Sequence, residues 1–352
     1  MPTASPAEIA AGQKLSMMTR TEKVASLLML HLPGTDASAL RNFVDTYQPG
    51  GLIFMGDNIL GGPGDTAALA AAASADPRFP LLIGIDQEGG DVRRIQADEW
   101  PSSLTLKDLP AVDTQQAFEQ RSALLARSGI SVNFGVVADV TDDPGSFIYR
   151  RALGTTPQAA GERVAAAVSG EQGSVLSTLK HFPGHGAAPG DSHTSVPSTE
   201  ITLEQWRATD AVPFATGIAA GAPLVMFGHL QYNAVDPVPA SLSPVWHSLL
   251  RDDLGFDGIT ITDDMLMLRN TGLPEYQNVS ENAIRALAAG TTMLLYVLGS
   301  SASVDGVDRV ALVADIERAI DAGRISAEQI DAAATKLLVA RFEVGVNADP
   351  LR

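Results

Sequence analysis

The chain has 352 residues, of which 45% are hydrophobic and 18% charged, enough to bury a large core in one domain of barrel size or in two smaller ones. Its formal net charge of -17 argues against a nucleic-acid surface or an anionic-membrane anchor and points to neutral or locally recognised ligands. Zero cysteines exclude disulfides, thiol catalysis and thiolate metal sites, and no apolar run reaches the roughly 18 residues that span a membrane.

The N-terminal stretch MPTASPAEIAAGQKL has neither the basic nor the apolar region of an export signal, so residues 1–15 read as a polar leader and the chain as cytoplasmic. Thr19 to Leu30 opens with a helix-start signal and runs into an apolar strand that ends at the Pro33-Gly34 turn. From there helix and strand alternate. TDASALRNFVDTYQ reads as an amphipathic helix, Gly50 to Asn58 as a buried strand, GDTAALAAAASA as an Ala-rich helix and Pro80 to Gly90 as the third strand. Helices TQQAFEQRSALLARSG, TPQAAGERVAAAVSG and LEQWRATDAVPFATGIAAG precede strands Ile130 to Val140, Ser174 to Lys180 and Ala222 to Leu230. SPVWHSLLRDDLG then precedes Gly258 to Asp264, and NVSENAIRALAAG precedes Thr291 to Gly299. One or two closing helices follow, with Gly323 as the break between them.

Strands that are apolar almost throughout and alternate with helices mean a parallel sheet covered on both faces. Eight such units over about 300 residues fit a single α/β domain of the (β/α)8 type, a TIM-like barrel over residues 1–352, better than an open doubly wound sheet. The active site of such a barrel gathers at the carboxyl ends of its strands. The candidates fall there: Asp86 with Gln87, Glu88, Gly89 and Gly90, then Asp139, Lys180 with His181, His229, and Asp263 with Asp264.

One loop stands out for chemistry. KHFPGHGAAPGDSHT, Lys180 to Thr194, holds three histidines, a lysine and an aspartate in a stretch broken by glycines and prolines. Asp191 lies two residues before His193, close enough for its carboxylate to fix the imidazole tautomer, which is a general acid/base arrangement. His185, flanked by glycines, reads as structural. His181 and His185 have the i, i+4 spacing of a metal pair, but Pro183 and Gly184 spoil the helix that would align them, so no metal site is expected. For Asp263 the plain alternative is a helix N-cap; an acidic pair ending a buried strand, beside a histidine acid, points instead to a nucleophile.

KHFPGHG followed by DSH, with GIDQEGG and GFDGITITDD, resembles the bacterial β-N-acetylhexosaminidases of glycoside hydrolase family 3, the NagZ type. Lesser pieces, DAVPF and ASLSP, extend the resemblance over roughly Leu15 to Gly345. It implies a (β/α)8 barrel without metal or organic cofactor that releases terminal N-acetylglucosamine from peptidoglycan fragments or chitin oligosaccharides with retention. Matched residue by residue, it implies that Asp263 is the nucleophile, His193 the acid/base and Asp191 its dyad partner. It places Asp86, Arg94, Arg151, Lys180 and His181 on the sugar. The expected partner is a small carbohydrate, with no nucleic acid or membrane and a monomer or weak dimer as the assembly.

Three departures from the family pattern bear on specificity. Ala187 and Ala188 stand where Asp-Thr is usual, Asp91 where an arginine is common, and Arg150-Arg151-Ala152-Leu153-Gly154 where Asp-Arg-Ser-Phe-Gly is. The competing readings are phosphorolysis of the same substrates, a sugar-binding barrel without turnover, and a metal-dependent hydrolase using the loop histidines. Were His193 not the proton donor, Glu88 would be the next carboxyl to consider.

Overall fold

In the computed structural model, which describes residues 4–347, each apolar run becomes a barrel strand. These are β1 (Leu28–Leu30), β2 (Gly51–Phe54), β3 (Leu82–Ile85), β4 (Val132–Val137), β5 (Leu176–Phe182), β6 (Leu224–Phe227), β7 (Ile259–Thr262) and β8 (Leu294–Tyr296). All pair in parallel, in the order β8-β1-β2-β3-β4-β5-β6-β7. The ring closes between β7 and β8, where the Thr262 amide donates to Met293 O at 3.2 Å and the Met293 amide to Thr260 O at 3.0 Å. Every strand residue except Leu176 is buried, which is why the runs show no alternation: one face fills the barrel and the other meets the helices. The fold is a (β/α)8 barrel.

The elements differ from the sequence reading in three places. Residues read as a polar leader form a helix, Pro6–Met17, capped by Ser5 and Glu8 in reciprocal hydrogen bonds. Its buried face is alanine, Ala10 and Ala11 packing on Phe79 and Leu338, so it carries almost no apolar signature. The helix read from Leu203 to Gly221 breaks into Leu203–Ala208 and Ala211–Ala219 around Asp210, which is buried. β5 runs two residues beyond Lys180, so Lys180 and His181 belong to the strand itself. The closing helices, Arg309–Asp321 and Ala327–Asn347, break at Gly323, where φ is +71°. No helix among the described residues is long and apolar enough to cross a membrane.

A second core supports the site. Phe182, Trp206, Phe214, Phe227 and Trp246 meet edge to face with centroids 4.9 to 5.9 Å apart, and each such pair adds about 0.5–1.5 kcal/mol beyond burial. Trp206 and Tyr232, whose ring packs against Trp246 with centroids 5.1 Å apart, hold the loop after β5. Trp206 Nε1 donates to Pro183 O at 2.9 Å and the Tyr232 hydroxyl to Gly184 O at 2.5 Å. At the far end of the loop, Ser198–Thr199 pairs in parallel with Gln231–Tyr232. The segment between is therefore anchored on both sides.

Candidate active site

The carboxyl ends of β3, β4 and β5 converge on a network of buried charges. Lys180 Nζ lies 2.8 Å from Asp86 Oδ1 and 2.7 Å from Glu88 Oε1. Arg151 grips Glu88 through Nε at 2.9 Å and Nη2 at 2.7 Å, and Arg94 reaches Asp86 Oδ2 at 3.4 Å. Burial opposes a charged Glu88, but Arg151 and Lys180 outweigh it and hold the carboxyl well below the ordinary carboxylate range. Burial likewise disfavours the Lys180 ammonium, and Asp86 and Glu88 overturn that and raise its pKa. Glu88 is thus an anion with no proton to give, and it does not fit the role of reserve general acid.

His181 is held between two charged neighbours. Its Nδ1 is 2.7 Å from Asp139 Oδ2 and its Nε2 3.3 Å from Arg151 Nη2. A carboxylate only accepts and a guanidinium only donates, so the proton sits on Nδ1 and Nε2 accepts. The ring therefore braces Arg151 from its Nε2 side. The second oxygen of Asp139 takes the amides of His181 at 3.2 Å and His185 at 2.6 Å, fixing the start of the loop. His185 is buried, and burial lowers its pKa, in keeping with a structural residue. Gly186 is required by close approach: a Cβ there would lie 1.7 Å from Val140 O.

At the end of β7 the two aspartates divide their roles. Asp264 Oδ1 accepts the amides of Leu266 and Val297, each at 3.1 Å, so this carboxyl is spent on tying the next helix to the end of β8, and burial pushes it up to about 7. Among the described residues, Asp263 accepts only the Asp264 amide on Oδ1, at 2.8 Å. Burial opposes its charge too, but His181, His229, that amide and Lys180 together hold its pKa below the ordinary value. His229 is the positioning group beneath: Nε2 donates to Asp264 O at 3.0 Å and Nδ1 accepts from the Ser241 hydroxyl at 2.7 Å.

His193 stands on the rim, with 63% of its side chain exposed. Asp191 Oδ1 lies 2.7 Å from its Nδ1 and 2.9 Å from its amide nitrogen, which puts a proton on Nδ1 and leaves Nε2 facing solvent. Partial burial opposes the Asp191 charge, but the His193 amide and ring prevail and lower its pKa. The Phe147 ring lies beside His193, with centroids 5.8 Å apart and the planes at 70°. Among the described residues no group of three His, Asp or Glu side chains has the arrangement of a metal site.

Three features were not legible beforehand. Behind Arg94, Gln87 Oε1 accepts the amides of Arg94 at 2.9 Å and Ile95 at 3.0 Å. Its Nε2 donates to Asp98 at 2.8 Å, and Asp98 pairs with Arg121 at 2.6 Å, both ions fully buried. Second, two of the departures meet: Arg150 pairs with Asp91 at 2.6 and 3.1 Å, so the signs are reversed at both positions and an ion pair results. Third, Ala188 is buried in the second core with Ala187 packed against it, replacing a polar pair by a small apolar anchor. The only sequence cues were the departures themselves.

The model of the glycosyl hydrolase family 3 N-terminal domain matches residues 19–340. A β-hexosaminidase of Stenotrophomonas maltophilia is 37% identical over 253 residues, 68% of this chain and 75% of that one. β-Hexosaminidase LpqI of Mycobacterium tuberculosis is 30% identical over 328 residues, 90% of this chain and 81% of its own. Among solved structures, a family 3 β-N-acetylglucosaminidase of Paenibacillus superposes with a TM-score of 0.84 at 31% identity, covering 93% of this chain. This chain spans 63% of the length of that protein. The structure of M. tuberculosis LpqI gives a TM-score of 0.81 at 29% identity, with 96% of each chain covered. With a family model spanning nearly the whole barrel, the chain belongs to glycosyl hydrolase family 3 and is a glycoside hydrolase.

Proposed function

We propose that the protein is a retaining exo-β-N-acetylglucosaminidase acting on small carbohydrates such as peptidoglycan fragments or chitin oligosaccharides. The observation that carries this reading is the contrast between two groups. Asp263 is an anion engaged through one oxygen only, and His193 is locked at Nδ1 with Nε2 open. A nucleophile needs the first state and a proton carrier the second. The names of the relatives, β-hexosaminidase and β-N-acetylglucosaminidase, support the choice of sugar.

In the first step an Asp263 oxygen attacks the anomeric carbon, the glycosidic C–O bond breaks, and the imidazolium of His193 gives its Nε2 proton to the departing oxygen. In the second, the neutral imidazole takes a proton from water as the water oxygen displaces Asp263 from that carbon. Asp191 holds the ring in register for both transfers. Asp86 keeps lone pairs for a pair of sugar hydroxyls, while Arg94, Arg151 and Lys180 donate to others. The buried Gln87–Asp98–Arg121 relay keeps Arg94 in place.

A histidine at the acid/base position repels an anion less than a second carboxylate would, so phosphate in place of water is the second reading. One assay separates them: aryl β-N-acetylglucosaminide and aryl β-glucoside, each with and without phosphate, with the first-formed product followed by NMR. Free β-N-acetylglucosamine, formed at a rate indifferent to phosphate, is the expected result. A sugar phosphate as main product would establish phosphorolysis, and inverted product would remove Asp263 as nucleophile.

A further inference from the structure

The leaving group has no assigned contact, and its place follows from the chemistry. On the proposed roles, the proton of His193 goes to the oxygen that joins the terminal sugar to the rest of the substrate. The side chain that borders both His193 and the sugar-binding cations therefore borders the next ring. That side chain is Phe147, on the segment after β4. Its centroid is 5.8 Å from that of His193, with the rings at 70°, and 5.5 Å from that of His185. The Arg151 guanidinium lies 5.7 Å from the same ring. An exposed apolar residue is unremarkable by itself. Phe147, though, is held by His185, His193 and Arg151 and is still 38% exposed.

We propose that Phe147 is the platform of a leaving-group subsite, on which the first pyranose ring beyond the scissile bond lays its C–H face. The face of an aromatic ring carries partial negative charge and its contacts are geometrically specific, which suits the polarised C–H groups of a sugar better than a short alkyl chain. Arg150 is paired with Asp91 and Ala187 and Ala188 are apolar, so the surroundings add no strong demand for a charged leaving group. The substrate class is thus an oligosaccharide recognised at two consecutive rings. This inference rests on the hydrolase reading above.

The test is the ratio of kcat/KM for N,N'-diacetylchitobiose to that for methyl β-N-acetylglucosaminide. Both leaving groups are alcohols that need the His193 proton, so the ratio isolates the contribution of the second ring. In Phe147→Ala the ratio should fall by about tenfold, the scale of one good ring contact, and in Phe147→Trp it should return to within about threefold of wild type. A ratio unchanged in Phe147→Ala, whatever happens to the two rates separately, would show that Phe147 only steadies His193 and would overturn the proposal. A ratio that stays low in Phe147→Trp would overturn it as well. Wild-type enzyme inert on both substrates would remove the β-N-acetylglucosaminidase reading, and the proposal with it, before any variant is made.

Discussion

Replacing Glu88 by glutamine tests whether the charge network under the sugar is closed. Glu88 is 1% exposed and neutralises two cations at once, Lys180 at 2.7 Å and Arg151 at 2.9 and 2.7 Å. Gln keeps the shape but removes the charge, leaving Arg151 and Lys180 to share Asp86 and Asp139 in a dry site. Breaking a buried pair by removing one partner costs about 3–5 kcal/mol, because the other charge is left uncompensated. With a urea m-value of about 3 kcal/mol/M or more for a chain this long, the midpoint should fall on the order of 1 M at pH 7. The pH dependence has a definite sign. The Glu88 pKa is depressed in the folded protein, so its contribution is present above the unfolded value of about 4.3 and is lost as pH falls towards the folded one. The gap between wild type and Glu88→Gln should be constant from about pH 5 to 8 and narrow on acidification. Equal urea midpoints at pH 7, by fluorescence and circular dichroism, would refute the reasoning.

Asp263→Asn should lose several orders of magnitude in kcat, since a neutral amide cannot form the glycosyl ester; a variant keeping more than a tenth of the wild-type rate would exclude that role. For His193→Ala, single-turnover rates across a leaving-group series should depend more steeply on leaving-group pKa than in wild type, because only good leaving groups depart unprotonated. A wild-type slope would mean that the proton comes from elsewhere. Glu171 is fully buried with only one oxygen hydrogen-bonded, at 2.5 Å to Asn133, and burial pushes its pKa up to about 8. The stability from its bound proton is present below about pH 4.3 and lost as pH rises to about 8. Glu171→Gln should accordingly gain stability relative to wild type over that window, and a gap in thermal midpoint that does not widen with pH would show that Glu171 is ionised throughout.

The Asp91–Arg150 pair shows how departures from a pattern become intelligible in space. Read singly along the chain, an aspartate for an arginine and an arginine for an aspartate each look like a lost contact. Folded, the two carry opposite charges 2.6 Å apart across the mouth of the site. An exposed pair of this kind adds little to stability, so its main effect is to tie the loop after β3 to the one after β4.

Whatever is local in the chain was legible without coordinates. The strands announced themselves because a parallel strand covered on both faces must be apolar at every position, and helices because their apolar stripe repeats at a fixed interval. Asp191 and His193 were readable as a pair because two residues on a loop can only be neighbours. The tertiary structure alone decided what depends on distant parts meeting. Asp263 and Asp264 are adjacent and chemically identical, and only the amides of Leu266 and Val297, one from across the barrel seam, made Asp264 a structural tie while Asp263 takes the Asp264 amide. Glu88 became a fixed anion because Lys180, from a strand 92 residues later, and Arg151 close on it. Asp98 found Arg121 in the middle of a helix 23 residues away. The helix at the N-terminus showed only its Ser5–Glu8 cap and no apolar stripe, because its buried face is alanine, whose small side chain makes little pattern by itself and depends on Phe79 and Leu338 for something to pack against.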